Sequence, residues 1–256
     1  LVKDIYSGIN GGNPTYVAAI GNTLYFEATD GTNGYELWKS DGSGLGTSLV
    51  KDINTGATGS NPHSFVSLGG TIYFVATDAA AGAELWKTNG TTIGTSMVKD
   101  INPGATGSLS TYTLTVYNSV LAFTATNGVN GYELWTSTGT SAGTTMVKDI
   151  NLGAGNGLVS NPVISNNILF FPAIDGVNGS ELWISDGTSP GTGLVKDIYT
   201  GATGSNIYAA GMKDINGTLY FKAENNTNGG EIWRSDGTLG GTVMVKDIYP
   251  GASNSL

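Results

Sequence analysis

One triplet, repeated five times, constrains this chain more than anything else in it. Glu36-Leu37-Trp38, Glu84-Leu85-Trp86, Glu133-Leu134-Trp135, Glu181-Leu182-Trp183 and Glu231-Ile232-Trp233 set the tryptophans 48, 49, 48 and 50 residues apart. A fixed period of that length marks a repeat architecture, in which a unit too small to bury its apolar face alone stacks on copies of itself. The spacing bounds the fold tightly and the chemistry only loosely.

The second copy shows what one unit folds into. Residues 64–68, 71–77, 83–87 and 95–101 are β-forming runs separated by turn residues, and helical signals are absent. In the second run Ile72, Phe74 and Ala76 share one face and Tyr73, Val75 and Thr77 the other, the alternation of a pleated strand. That strand returns as Leu24-Tyr25-Phe26-Glu27-Ala28, Leu121-Ala122-Phe123-Thr124-Ala125, Leu169-Phe170-Phe171-Pro172-Ala173 and Leu219-Tyr220-Phe221-Lys222-Ala223. Its Leu/Phe/Ala face scarcely varies while the opposite face varies freely, so one face meets an equivalent neighbour every time. Four antiparallel strands per unit, covered on both faces, predict an all-β, five-bladed β-propeller with four antiparallel strands per blade, a single domain over residues 1–256. A parallel β-solenoid fits less well, because its coils run nearer 20–30 residues and carry fewer hairpin signals.

The third strand leads into a loop of fixed length with Gly at both ends, from Gly42 to Thr47 and its four counterparts, and then into Val-Lys-Asp-Ile. That motif occurs six times, at Lys3, Lys51, Lys99, Lys148, Lys196 and Lys246, against five Glu-Leu-Trp strands. One outer strand is therefore surplus. The expectation is that Leu1 to Ile5 lies beside the last blade near Val245 to Ile248, because an unpaired edge exposes backbone donors and acceptors. The start within a motif suggests one stretch of a longer polypeptide.

Glu36 to Ser43, Glu84 to Thr91, Glu133 to Thr140, Glu181 to Thr188 and Glu231 to Thr238, followed by Gly-Thr and Val-Lys-Asp-Ile, resemble the ELWxxDGT repeats of large secreted bacterial proteins. The resemblance covers essentially the whole chain. Ser43, Asn89, Thr138 and Ile232 depart from the motif, so its Asp is not obligatory chemistry. What the resemblance implies is a secreted or bacterial cell-surface setting and a propeller-like module, with no activity attached.

Composition narrows the function classes. A net charge of -9 argues against nucleic acid and anionic membrane as partners, since both need clustered Lys or Arg. No apolar run approaches the length of a membrane-spanning helix, so no membrane insertion is expected. With no cysteine, thiol catalysis and Cys-based zinc sites are excluded, and His63 as the sole histidine excludes His-rich metal sites. The repeated Glu and Lys read as a cross-strand ion pair, and a five-fold copied carboxylate is an odd way to place one acid and one base. The loops at Asp30–Gly34 and Asp175–Gly179 resemble metal-binding loops, yet each brings one carboxylate and Asn127 and Asn225 replace it elsewhere, so hairpin turns explain them better. No metal or cofactor is expected.

Trp38, Trp86, Trp135, Trp183 and Trp233 read as blade-to-blade packing rather than a stacking platform. The loop after Val-Lys-Asp-Ile, Thr55 to Pro62 and its echoes, is the best candidate binding surface, being rich in small polar groups. Its candidate ligand-binding residues are Asn13, Asn61, Ser110, Asn161 and Asn206. The expected function is non-catalytic: a structural, protein-interaction or adhesion scaffold, or alternatively a lectin-like propeller with several equivalent shallow sites. Glycans or other cell-surface proteins are the partners such a module would take.

Overall fold

A computed structural model describes residues 1–109, 114–158 and 160–251. Among them the chain forms twenty β-strands and one short 3-10 turn, Ala209–Gly211. The first blade contains β1 (Thr15–Ile20), β2 (Thr23–Thr29), β3 (Tyr35–Ser40) and β4 (Ser48–Lys51), hydrogen-bonded in that order. The second contains β5 (His63–Leu68), β6 (Thr71–Asp78), β7 (Gly82–Thr88) and β8 (Ser96–Lys99). The third contains β9 (Thr115–Tyr117), β10 (Val120–Ala125), β11 (Glu133–Ser137) and β12 (Thr144–Lys148). The fourth runs through β13 (Val163–Ser165), β14 (Ile168–Ile174), β15 (Ser180–Ser185) and β16 (Gly193–Lys196). The fifth is β17 (Lys213–Ile215), β18 (Thr218–Asn225), β19 (Gly229–Ser235) and β20 (Val243–Met244). Each is a four-stranded meander, the blade expected from the repeat.

Local chemistry explains the meander. The first hairpin of four blades turns on Gly69-Gly70, Asn118-Ser119, Asn166-Asn167 or Asn216-Gly217, with positive φ at both residues. That is the type I′ turn whose twist matches the strands it joins. The second hairpin turns on an Asx motif: Oδ1 of Asp30, Asn127, Asp175 or Asn225 accepts the backbone N–H groups two and three residues on. Asn serves there as well as Asp, so the loops read as hairpins from their own hydrogen bonds. In the fixed loop, Asp41, Asp186 and Asp236 accept the N–H and hydroxyl two residues on, as does Asn89. Beneath it a buried hydroxyl pair closes every blade: Ser40 with Thr47, Thr88 with Thr95, Ser137 with Thr144, Ser185 with Thr192, and Ser235 with Thr242.

The residues group into two compact units, Leu1–Leu121 with Ser137–Thr144, and Ala122–Thr136 with Thr145–Leu256. In the first, Tyr25, Leu37, Val50 and Ile53 of one blade close over Ile72, Phe74, Ala76 and Trp86 of the next. In the second, Phe170, Leu182, Val195 and Ile198 do the same over Leu219, Phe221, Ala223 and Trp233. All five tryptophans are 5–6% exposed.

Two expectations are corrected. Val2 to Ile5 is not a strand; Ile5 packs on Phe26, Ala28 and Trp38 of the first blade, and Lys3 Nζ donates to the carbonyl of Thr47 at 2.7 Å. The reason is that a Val-Lys-Asp-Ile segment serves the blade that follows it. Lys51, Lys99, Lys148 and Lys196 likewise donate to Thr95, Thr144, Thr192 and Thr242 of the next blade. The same bonds overturn the cross-strand Glu–Lys pair. A register shift at Leu37/Trp38 sets Lys51 opposite Leu37 and sends its ammonium onward, to lie 5.8 Å from the Trp86 ring centre.

Candidate functional site

The five motif glutamates have no exposed surface at all. Glu36 accepts the N–H groups of Ile53 and Asn54 and the hydroxyl of Ser60. Glu84 takes Ile101 and Ser108, Glu133 takes Ile150 and Asn151, Glu181 takes Ile198 and Tyr199, and Glu231 takes Ile248. Each carboxylate thus pins the loop after its own Val-Lys-Asp-Ile. Burial outweighs these donors and pushes Glu84, Glu133 and Glu181 up to about 7.

This pinning takes up Gly59 and Ser60 of the loop that looked like a binding surface, while Thr55 to Thr58 stay exposed. Ser60, Ser108 and Ser205 are wholly buried, and Asn54 Nδ2 donates to the carbonyl of Gly59. Gly34 and Gly59 meet backbone to backbone: a Cβ on Gly34 would lie 2.4 Å from the nitrogen of Gly59. Gly59 and Ser60 are small for close approach, and the loop faces outward at Thr55 to Thr58 and again at its end, at Asn61.

There the backbone is unusual. Asn13, Asn61 and Asn206 sit at φ 41, 47 and 52, and three residues beyond the first two, Tyr16 and Ser64 sit at φ 50 and 60. Asn tolerates the left-handed region, whereas a tyrosine there is strained, and such strain persists where the surrounding structure enforces it. The enforcing feature is a bulge in β1 and in β5, between Thr15 and Ala18 and between His63 and Val66. It turns Tyr16 outward, 52% exposed, with its ring centre 5.8 Å from that of His63.

Asn13, Thr15, Tyr16, Glu27, Tyr35 and Asn61 line a hollow of about 450 Å³. Asn13 Nδ2 donates to the Tyr35 hydroxyl at 3.3 Å, and Thr15 Oγ1 donates to Glu27 Oε2. Glu27 is buried, and desolvation raises its carboxyl above the ordinary range against the opposing bond from Thr15. A smaller hollow of about 200 Å³ in the other unit is lined by Ser160, Ser180, Asn206, Ile207, Tyr208 and Ala209, where Asn206 Nδ2 donates to Glu224 Oε2 at 2.8 Å.

Of the candidates read from sequence, the structure therefore brings Asn13 and Asn61 together in one hollow and sets Asn206 in another. Asn161 lies just before β13 and lines neither, and Ser110 lies outside the described residues. Tyr16, Tyr35 and Glu27 were not singled out beforehand. The signal available was the Asn-Pro dipeptide at 13–14 and 61–62, two restricted residues together where a strand begins. Glu27 is also the one acidic residue at a position filled elsewhere by Val75, Thr124, Pro172 and Lys222. Among the described residues no three His, Cys, Asp or Glu side chains are grouped as metal ligands, and no helix is long and apolar enough to cross a membrane.

The chain matches no protein-family model and no curated protein. Among solved structures it is similar to puromycin hydrolase, with a TM-score of 0.53 and 13% identity over 93% of this chain and 38% of that one. It is similar to oligopeptidase B from Leishmania major, with a TM-score of 0.51 and 12% identity over 91% of this chain and 32% of that one. A puromycin-hydrolyzing peptidase of Mycobacterium tuberculosis gives a TM-score of 0.50 at 11% identity, over 92% of this chain and 37% of that one. The chain spans 32–38% of the length of these proteins. At such identity the likeness is one of fold, and with five four-stranded antiparallel sheets that fold is a five-bladed β-propeller.

Proposed function

We propose that the chain is a non-catalytic interaction module, a propeller scaffold of the secreted or cell-surface kind that its ELWxxDGT-like repeats imply. The observation that carries this reading is where the motif charges go. The repeated glutamates hold backbone N–H groups and the repeated lysines reach the next blade's carbonyls, so the groups a copied active site would need are engaged in holding the fold. The test is a screen against peptide, ester and glycoside substrates beside a Glu27→Gln, His63→Ala double variant. No turnover above that variant is expected; turnover that the double substitution abolishes overturns the reading.

A second reading rests on the 450 Å³ hollow. Its two amides, two tyrosines and one carboxyl suit a neutral, hydroxyl-rich ligand: Asn offers both donor and acceptor, and aromatic faces stack on the apolar faces of sugar rings. A glycan array at high protein density tests it. Binding lost in Tyr16→Ala supports a carbohydrate site, and uniform silence leaves the scaffold reading alone.

A further inference from the structure

Glu27 is a buried carboxylate with much of its hydrogen-bonding capacity unused. Its place in the second strand of a blade is held elsewhere by Val75, Thr124, Pro172 and Lys222, so nothing in the repeat calls for a carboxylate there. The residue is 7% exposed. Glu36, also buried, accepts two backbone N–H groups and a hydroxyl, whereas Glu27 Oε2 takes only the hydroxyl of Thr15. Glu27 Oε1 takes no hydrogen bond among the described residues and is not sealed in by protein, so it opens on the hollow of about 450 Å³ that Glu27 lines.

The hollow supplies this carboxylate with no counter-charge. Asn13, Thr15, Tyr16, Tyr35 and Asn61 complete its lining, and none of them is Lys or Arg. Desolvation raises the Glu27 carboxyl, and the bond from Thr15 alone opposes it. His63 leans on Tyr16, and burial pushes its imidazolium down, so the ring is neutral at neutral pH. A buried carboxylate without a partner is costly, and a ligand cation beside it relieves the cost. The remaining groups ask for more than a bare alkyl ammonium. The side-chain amide of Asn61 takes no hydrogen bond among the described residues, and the Tyr35 hydroxyl accepts from Asn13 while keeping a proton to donate. A ligand without hydroxyls would part these groups from water and give nothing back.

We propose that the hollow takes an amino sugar, a pyranose carrying a free ammonium group, and that Glu27 selects it over neutral sugars. This rests on the carbohydrate reading of the hollow and alters it at one substituent, an ammonium where a neutral sugar has a hydroxyl or an acetamide. Glu27 Oε1 accepts from the ammonium. Asn13, Asn61 and Tyr35 bond the ring hydroxyls, and the Tyr16 ring, turned outward by the bulge at φ 50, covers the apolar face of the sugar. The volume lies within the range of small-ligand sites, about 300–1,000 Å³. A net charge of -9 favours the approach of a cation. The next blade has Val75 at the place of Glu27 and Ser64 at the place of Tyr16, and no other blade sets a carboxylate at that position, so one such site per chain is expected.

The test is an NMR titration near neutral pH with the methyl glycosides of glucosamine, N-acetylglucosamine and glucose, followed at the backbone amides of Tyr16 and Asn61. The glucosamine glycoside is expected to bind at least about ten-fold more tightly than the other two, because a hydrogen bond between charged groups contributes more than one between neutral groups. Glu27→Gln keeps the shape of the side chain and an acceptor for Thr15. It is expected to erase the preference while the neutral glycosides bind as before. Lysine amide, which brings an ammonium without hydroxyls, is expected to bind more weakly than the amino sugar. Equal binding of the three glycosides to the unsubstituted protein, or a preference that survives Glu27→Gln, overturns the proposal and leaves the carbohydrate reading standing. If none of the glycosides binds, or if lysine amide binds as tightly as the amino sugar, both are overturned.

Discussion

Glu36 and Glu27 stand on adjacent strands of the first blade, Glu36 opposite Ala28 and Glu27 opposite Leu37, and both are buried. Glu36 recurs in every repeat and spends its oxygens on the loop beneath it. Glu27 occurs once, holds only a threonine hydroxyl across a bulged strand, and borders an open hollow. The two buried carboxylates therefore separate two kinds of position. What is copied five times keeps blades in register, and what varies at the rim of the bulge is free to differ from hollow to hollow.

The contrast breaks most visibly if the copied side is removed. Trp86→Ala takes out a ring packed between two blades, beneath the Lys51 ammonium, and is expected to cost about 3–5 kcal/mol, a large share of the stability of a domain. Denaturant unfolding measures this directly. Lys222→Ala, on the variable face, is expected to cost well under about 1 kcal/mol. A Trp86→Ala protein that melts with its parent shows that the tryptophan row does not hold the blades together.

Glu84→Ala is the next largest effect. It strands the N–H of Ile101 and the hydroxyl of Ser108 without a partner inside the protein, at about 1–3 kcal/mol each. Glu27→Ala leaves only Thr15, which faces water, and is expected to fall within about 1 kcal/mol of the parent. Equal losses for the two would erase the distinction between copied and unique carboxylates.

The copied glutamates also set a pH dependence. Burial raises Glu84, Glu133 and Glu181 from an ordinary 4.5 to about 7. A carboxyl whose folded value lies above its unfolded one contributes stability that is complete below about pH 4.5 and is lost as pH rises through about 7. Chemical unfolding at pH 5 and pH 8 is therefore expected to show the greater stability at pH 5. Glu84→Gln, which removes one titrating group and keeps an acceptor oxygen, is expected to flatten the profile between those values; an unchanged profile would place its origin elsewhere.

The sequence carried the fold because the repeat fixes which faces must be covered. Period-two alternation in Ile72–Thr77 located a strand, and the constancy of Leu/Phe/Ala located the blade-to-blade face now seen in Phe74 and Phe221. Partner choice was less legible. Lys51 sits near Glu36 in strand order, but the bulge at Leu37/Trp38 and a four-carbon side chain deliver its charge to Thr95, 44 residues away. Within the loop from Thr55 two residues have another role than the one read from their small polar character: Ser60 and Gly59 are small because carboxylate and backbone press against them. Of the hollow, only Asn13 and Asn61 were legible, since Tyr16 and Glu27 acquire their meaning from a bulge that one sequence does not announce.

That bulge offers the finest test of the contrast, because strain and ligand contact predict opposite signs for one substitution. Tyr16 holds φ 50, a conformation that costs a bulky residue about 1–3 kcal/mol, and its half-exposed ring recovers little of this by leaning on His63. Tyr16→Gly is therefore expected to raise stability by about 1 kcal/mol, read as a shift of a few degrees in Tm. Ser64→Gly, at φ 60 in the next blade, is its control, with the same backbone relief and the loss of a hydroxyl contact to His63 Nδ1 in place of a ring. If the hollow takes a sugar, Tyr16→Gly gains stability and loses ligand while Ser64→Gly gains stability and keeps it. If Tyr16→Gly instead destabilises the protein, the ring is a structural wedge, and the hollow beside it belongs with the scaffold.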